Sequence, residues 1–158
     1  MGLITFDLDS TLADTRWRHG MIKPDGSTDW QEYALACAQD GLITPVASLW
    51  RALAPHHTLW VVSGRASAAR ALTVRWLMQQ GLRPRGLTLM ETRDQDRGHC
   101  EWKLETIRNL EAELGLEHVL HIDDFPPVGI ACREVGIECL VVTPPQRIDT
   151  FDDHRAYV

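Results

Sequence analysis

Short apolar runs alternate with longer segments of helical periodicity along this chain. The runs are rich in β-branched residues and almost continuous in apolar side chains, which is typical of strands covered on both faces. Because such strands alternate with helices, the pattern predicts βαβ units around one parallel sheet. We therefore expect an α/β fold of three layers, with about five strands and helices on both faces. The predicted strands are residues 3–6, 58–62, 87–90, 119–122 and 137–142.

Three helices are predicted between these strands, and each is followed by a glycine. A glycine just after the last helical residue can adopt the left-handed conformation that ends a helix. The predicted helices are residues 66–80, 100–114 and 126–135, followed by Gly81, Gly115 and Gly136.

The segment between the first two strands predicts two weaker helices. Asp29 and Glu32 have the spacing of a capping box at a helix start. Thr44 followed by Pro45 predicts an N-cap with proline at the first helical position.

The chain is 158 residues long, which is the size of one domain. We expect that domain to span residues 1–143, with residues 12–44 as a small insert. Residues 12–28 are expected to form an exposed loop, and the insert is too small for an independent cap domain. Residues 144–158 show no periodicity, so we expect a C-terminal extension there.

The formal net charge is -6, from 22 acidic and 16 basic residues. A negative total argues against non-specific binding along a nucleic-acid backbone, although contact with a chain end stays possible. Residues 65–97 carry a local charge of +4 and could form a solvated helix face or an anion-facing surface. Their seven arginines are Arg65, Arg70, Arg75, Arg83, Arg85, Arg93 and Arg97.

The four cysteines form no Cys-x-x-Cys pair, which favours reduced thiols in an intracellular protein. The first residues lack a basic region before a long apolar run, and no stretch approaches eighteen apolar residues. We therefore expect a cytoplasmic protein with no membrane contact and no obligate protein partner.

Two aspartates separated by one residue follow the first predicted strand, where open α/β sheets form their sites. Asp7 and Asp9 could divide labour, one as nucleophile and metal ligand and the other as proton donor and acceptor. A calcium loop would need glycine and glutamate where this chain has Leu12 and Arg18. A polar turn remains the alternative for the motif taken alone.

The second strand runs into Ser63, Gly64 and Arg65 at the predicted start of a helix. Helix N-terminal amides, a serine hydroxyl and a guanidinium all donate hydrogen bonds to anionic oxygens. These residues therefore predict a phosphate-binding turn. Ordinary turn chemistry is the alternative.

Two adjacent aspartates, Asp123 and Asp124, follow the fourth predicted strand. Their mutual repulsion would be relieved by a cation such as Mg²⁺. Lys103 lies at the start of a predicted helix, where a lysine taken singly is more often a solvated surface residue.

These fragments occur in one order at successive strand and helix boundaries, and in this order they resemble the haloacid dehalogenase superfamily of phosphohydrolases. The resemblance covers roughly residues 2–143 and implies a Rossmann-like fold without a large cap domain. Ser10 replaces the glycine that is usual in the first motif. The matching residues are Asp7 through Leu12, Ser63, Lys103 and the pair Asp123 and Asp124.

The chain resembles the 3'-phosphatase domain of bacteriophage polynucleotide kinases more closely. That likeness implies that Arg18 and Arg65 bind substrate, and it extends to the passage containing Arg93, which we also expect to bind substrate. His99 stands one helical turn before Lys103, where that family carries an acid. No Gly-x-x-x-x-Gly-Lys phosphate-binding motif occurs, so we expect no kinase half in this chain.

The resemblance implies a Mg²⁺-dependent phosphomonoesterase in which Asp7 attacks phosphorus and Asp9 handles the protons. Mg²⁺ would be held by Asp7, the backbone carbonyl of Asp9, and Asp123 or Asp124, all of them oxygen ligands. The predicted phosphate-binding residues are Thr11, Ser63, Gly64 and Lys103.

Three functions remain open from the sequence. The first is a phosphatase acting on a nucleic-acid 3'-phosphate end, which an open site and local arginine excess would favour. The second is a small-molecule phosphatase, for example acting on a nucleoside monophosphate, which the overall acidity favours. The third is a catalytically silent binding module that keeps the fold.

Overall fold

The computed structural model describes residues 1–143, and its centre is a five-stranded parallel sheet in the order β5-β4-β1-β6-β7. A separate pair, β2 and β3, is antiparallel and only two residues long in each strand. The strands are β1 (Leu3–Phe6), β2 (Ala13–Asp14), β3 (Gly41–Leu42), β4 (Thr58–Ala66), β5 (Gly86–Met90), β6 (His118–Asp123) and β7 (Cys139–Val141).

Helices cover both faces of the sheet. Successive residues of a strand point to opposite faces, so Phe6 and Leu3 of β1 pack against different helices. On one face Phe6 packs against Trp50 of α2 and belongs to one apolar cluster with Trp76 of α3. On the other face Leu3 clusters with Trp102 of α4. The helices are α1 (Trp30–Leu35), α2 (Thr44–Leu53), α3 (Arg70–Gln79), α4 (His99–Leu114) and α5 (Pro126–Glu134).

The predicted fold class is confirmed, including the three glycines that follow helices. Gly81, Gly115 and Gly136 have φ angles of 70°, 61° and 76°, which is the left-handed region that favours glycine. The second strand predicted from the sequence corresponds to β4, which is longer than predicted and runs to Ala66. Its pairing with β5 shifts in register between Ser63 and Ala66, so the helix that follows begins only at Arg70.

The insert between β1 and β4 departs from its predicted form. Residues 12–28 are not simply an exposed loop, because Leu12 and Ala13 are buried and a 3-10 helix at Arg16–Met21 carries the buried Arg18. The short β2–β3 pairing joins the start of this segment to the later part of the insert.

Of the two helix caps predicted in the insert, the structure has one and lacks the other. Asp29 caps α1, since its side chain accepts hydrogen bonds from the backbone N–H groups of Gln31 and Glu32 at 3.0 and 2.9 Å. Thr44 is not a cap, because α2 already begins there and Ile43 precedes it.

No helix within residues 1–143 is long and apolar enough to cross a membrane. The predicted C-terminal extension, residues 144–158, lies outside the described residues.

Candidate active site

The carboxyl ends of β1, β4 and β6 meet at a cleft of about 420 Å³. Asp7 follows β1, Ser63 lies near the end of β4, and Asp123 ends β6. Lys103 reaches the same cleft from α4, one turn after His99. The parallel topology therefore brings the motif residues together at one edge of the sheet.

Asp7 lies on the floor of the cleft and is buried. Lys103 Nζ donates to its Oδ1 at 2.9 Å, and Thr11 Oγ1 donates to its Oδ2 at 3.1 Å. Burial raises the pKa of Asp7 to about 8, and the nearby charges of Asp123 and Asp124 add to this while Lys103 opposes it. The carboxylate is held in place, but its negative charge is poorly compensated.

Three carboxylates form an acidic cluster in the cleft. One oxygen from each of Asp7, Asp123 and Asp124 lies within 4.8 Å of the other two. Burial and the charge of Asp123 raise the pKa of Asp124 to about 6. Such a set of oxygen donors fits a hard cation such as Mg²⁺, which would remove the repulsion among the three groups.

Lys103 is buried, contrary to the surface position that a lone lysine suggests. Its Nζ lies 2.9 Å from Asp7 and 2.6 Å from Asp123. Although burial opposes the charged form, these two carboxylates raise the pKa of Lys103 above its usual range. The site thus carries a permanent cation beside Asp7.

A chain of buried and partly buried polar side chains lies next to Asp123. His121 Nε2 lies 2.9 Å from Asp123 Oδ2, and Thr5 Oγ1 lies 2.9 Å from both His121 Nδ1 and His118 Nε2. The backbone N–H of Phe125 donates to Asp123 Oδ1 at 2.8 Å. Although burial opposes it, bonding to His121 and Lys103 lowers the pKa of Asp123, which favours the ionised form that a metal ligand needs.

Metal binding at this cluster should stabilise the fold. At Mg²⁺ a hundredfold above its Kd the free energy of unfolding should rise by about 2.7 kcal/mol. For a chain of this size that corresponds to roughly 5–10 °C in melting temperature. We expect Asp124→Asn to remove most of this shift and Asp96→Asn, an exposed acid outside the cleft, to keep it. An unchanged melting temperature of the wild type with saturating Mg²⁺ would contradict the metal site.

Asp9 has entirely different partners from Asp7. Arg18 Nη2 donates to its Oδ1 at 2.9 Å, and Arg65 Nη2 donates to the same oxygen. Although burial would raise the pKa of Asp9, the two guanidinium groups lower it. The two aspartates of the first motif are thus held in different electrostatic environments.

A third aspartate, Asp40, completes this network and was missed in the sequence. Arg18 donates to both its carboxylate oxygens, at 2.8 and 2.7 Å, and Arg65 Nη2 donates to it at 3.1 Å. Asp40 directly precedes β3, so the β2–β3 pairing brings it beside the segment that carries Arg18. The sequence around Asp40 does not mark it as part of a site, because its ion pairs with Arg18 and Arg65 join residues far apart in the chain.

Two of the three predicted substrate-binding arginines, Arg18 and Arg65, are paired inside the protein. The side chains of Arg18 and Arg65 are 0% and 1% exposed, and Arg65 also donates to Thr73 at 3.0 Å. Arg65 lines the cleft, whereas Arg18 lies behind Asp9 with its guanidinium over the Tyr33 ring, 4.2 Å from the centroid.

Arg93 is not brought into the cleft. Its side chain is 85% exposed and lies 3.8 Å from Asp94. Arg97 lines the cleft instead, and it pairs with Glu105 and, at 3.6 Å, with Asp94.

Replacing Arg65 by Lys should impair the site through Asp9. An ammonium cannot contact Asp9, Asp40 and Thr73 at once, so we expect kcat to fall on the order of 10²-fold through misplacement. The acidic limb of the pH–rate profile should also move to higher pH, because Asp9 loses hydrogen bonds from the Arg65 guanidinium that help to lower its pKa. Arg70→Lys, at an exposed arginine on α3 that donates to the Leu87 carbonyl, is the matched control. Equal kinetics for the two variants would remove Arg65 from this role.

Gly64 follows Ser63 within β4 and lies close to the His99 side chain, so a side chain at position 64 would require the imidazole to move. A Cβ there would lie 2.5 Å from Cε1 of His99, which also lines the cleft. Ser63 is buried, and its Oγ accepts a hydrogen bond from the Arg65 backbone N–H at 3.2 Å. The serine can therefore donate its own proton toward an oxygen in the cleft.

No protein-family model and no curated protein sequence matches the chain. Solved structures do match it. A chain of the Pnkp1/Rnl/Hen1 RNA repair complex aligns with a TM-score of 0.69 and 25% identity, over 93% of this chain and 44% of that one. This chain therefore spans less than half of the length of that protein.

Two other solved structures are matched over nearly their whole length. A haloacid dehalogenase-like hydrolase from Streptococcus pneumoniae has a TM-score of 0.62 and 16% identity, covering 98% of this chain and 91% of that one. A haloacid dehalogenase family enzyme from Bacteroides thetaiotaomicron, crystallised with magnesium and inorganic phosphate, has a TM-score of 0.54 and 12% identity, covering 95% and 98%. The predicted haloacid dehalogenase-like fold is confirmed.

Proposed function

We propose that this protein is a Mg²⁺-dependent phosphomonoesterase that forms an aspartyl-phosphate on Asp7. The observation that carries the proposal is the convergence on Asp7 of Lys103, Thr11, Asp123 and Asp124 at the end of β1. An oxygen nucleophile between a fixed cation and a candidate metal site has what phosphoryl transfer requires, which is mainly positioning and charge neutralisation.

Asp7 Oδ1 or Oδ2 would attack phosphorus, forming the aspartyl-phosphate as the bond to the leaving oxygen breaks. Lys103 Nζ and the Ser63 hydroxyl would then donate to the transferring phosphoryl oxygens. Mg²⁺, held by Asp7, Asp123, Asp124 and the carbonyl of Asp9, would neutralise charge on the phosphate when bound.

Asp9 would protonate the leaving oxygen and later remove a proton from the hydrolytic water. The ion pairs with Arg18 and Arg65 favour its carboxylate form, which suits the second step. The negative charge of a bound phosphate raises the proton affinity of a neighbouring carboxylate, which suits the first. We assign the two arginines to holding Asp9 in position.

The substrate that we favour is a nucleic-acid 3'-phosphate end. Within residues 1–143 no separate domain covers the strand ends, so the cleft can admit the end of a polymer. The structural likeness to a chain of an RNA repair complex supports the same choice.

A small phosphomonoester such as a nucleoside monophosphate is the second candidate. Of the seven arginines at residues 65–97, Arg65 and Arg97 line the cleft. Both already pair with acidic side chains, so the arginine excess offers less to neighbouring phosphates than its sequence suggests.

The experiment measures kcat/KM with Mg²⁺ on 3'- and 5'-phosphorylated oligonucleotides and on free 3'- and 5'-mononucleotides, side by side. We expect the highest value for the 3'-phosphorylated oligonucleotide. Preference for a mononucleotide would favour the second candidate. No hydrolysis of these esters or of an aryl phosphate would indicate a silent module.

A further inference from the structure

Two pairs of aromatic side chains form the upper walls of the cleft. On one wall Trp30 and Tyr33 of α1 meet edge to face, with ring centroids 5.6 Å apart. On the other, His99 and Phe125 meet in the same way at 6.1 Å. All four line the cleft whose floor carries Asp7.

Trp30 and Phe125 are carried by segments that lie on different sides of β1. Helix α1 packs against the end of β4 and the turn after it, whereas Phe125 follows β6. In the sheet β4 and β6 are the two neighbours of β1, which ends beside Asp7. A group attached to a phosphate at Asp7 would therefore share the cleft with these rings.

Trp30 and Phe125 keep much of their ring surface open. Trp30 is 55% exposed and Phe125 is 45% exposed, and neither makes a face-to-face stack with its aromatic neighbour. Single exposed apolar side chains are ordinary, but two that line one cleft offer a planar ligand a surface to stack on.

Hydrogen bonds position the backbone that carries each ring. Asp29 caps the helix turn that carries Trp30. Phe125 donates its backbone N–H to Asp123, a candidate metal ligand. Rings held on positioned backbone lose little freedom when a ligand stacks on them.

We infer that Trp30 and Phe125 form a stacking site for the nucleobase next to the phosphate. This inference rests on the proposed phosphatase function and names the chemistry of its substrate as a nucleoside phosphate. Because every base offers a π-face, the site would accept different bases with similar affinity. Stacking of one base strengthens binding by about 5- to 150-fold.

The test compares matched substrates with and without a base. One pair is a 3'-phosphorylated oligonucleotide and the same chain with an abasic terminal nucleotide. The other is a nucleoside 3'-monophosphate and ribose 3-phosphate, which separates a polymer end from a small substrate. We expect the wild type to favour the base-bearing member by about 5- to 150-fold in kcat/KM.

Trp30→Ala and Phe125→Ala should each shrink this preference toward one. Ile130→Ala, which removes a 60% exposed apolar side chain on α5 outside the cleft wall, should leave the preference unchanged. A wild type that does not distinguish the members of either pair, or alanine variants that keep the full preference, would overturn the inference.

Binding to the Asp7→Asn variant separates this inference from the proposed function. We expect the base-bearing oligonucleotide to quench indole fluorescence and to bind more tightly than the abasic one, with the quenching reduced in Asp7→Asn combined with Trp30→Phe. This result would support the stacking site even if the wild type hydrolysed no phosphomonoester. Equal affinity for both oligonucleotides would refute the stacking site while leaving phosphatase activity intact.

Discussion

Asp7→Asn is expected to lower kcat by roughly 10⁶-fold, the scale on which enzymes lose activity without their nucleophile. The amide keeps the size of the side chain and can still accept a hydrogen bond from Lys103, but it cannot form an aspartyl-phosphate. The measurement is kcat with saturating Mg²⁺ on the best phosphomonoester. Activity within tenfold of the wild type would rule out Asp7 as the nucleophile.

The same variant should fold at least as stably as the wild type without metal. Because the pKa of Asp7 is raised to about 8 in the folded protein, the folded state binds its proton more tightly than the unfolded chain does. The contribution of this carboxyl to the free energy of unfolding is therefore largest below about pH 4. It is lost as the pH rises from about 4 to 8 and is smallest above pH 8. In chelator at pH 8, Asp7→Asn should melt at or above the wild-type temperature, which separates loss of chemistry from loss of folding.

Asp9→Asn is expected to lower kcat by ~10²–10⁴-fold, the usual size of general acid–base catalysis. Asparagine can still accept from Arg18 and Arg65, but it can neither give up nor take a proton at neutral pH. The loss should be smaller for an aryl phosphate, whose leaving group needs no protonation, than for a nucleotide. A loss below tenfold on the nucleotide, or an equal loss of kcat/KM on both substrates, would remove Asp9 from the acid role.

Asp25→Asn provides the matched control for these two substitutions. Asp25 is exposed in the insert and hydrogen-bonds Ser27, away from the cleft. Its replacement should leave kcat within twofold of the wild type, so any larger change would point to a general effect of removing a negative charge.

The sequence predicted much of the cleft because its signals are local. The apolar run before Asp7 and the run before Asp123 each predict a buried strand, and parallel topology places both strand ends at one edge. Ser10 stands where the resembled family usually has a glycine, and its φ of 64° is a conformation that a side chain disfavours.

The parts that the sequence did not predict depend on distant contacts. Asp40 reaches Arg18 only because two strands of two residues pair across the insert, and such a pairing leaves no periodic pattern. Burial of Lys103 depends on Asp7 and Asp123, which lie 96 and 20 residues away along the chain. Trp30 and Phe125 had no motif, and their shared cleft appears only once β4, β1 and β6 are neighbours.

The most direct test of the central claim is to trap the phosphoenzyme. The wild type is quenched with acid during turnover of a phosphomonoester in Mg²⁺, digested, and examined by mass spectrometry. We predict one added phosphoryl group on Asp7, absent from the Asp7→Asn variant treated in the same way. A phosphoryl group on another residue, or continued rapid turnover in the Asp7→Asn variant, would contradict the account.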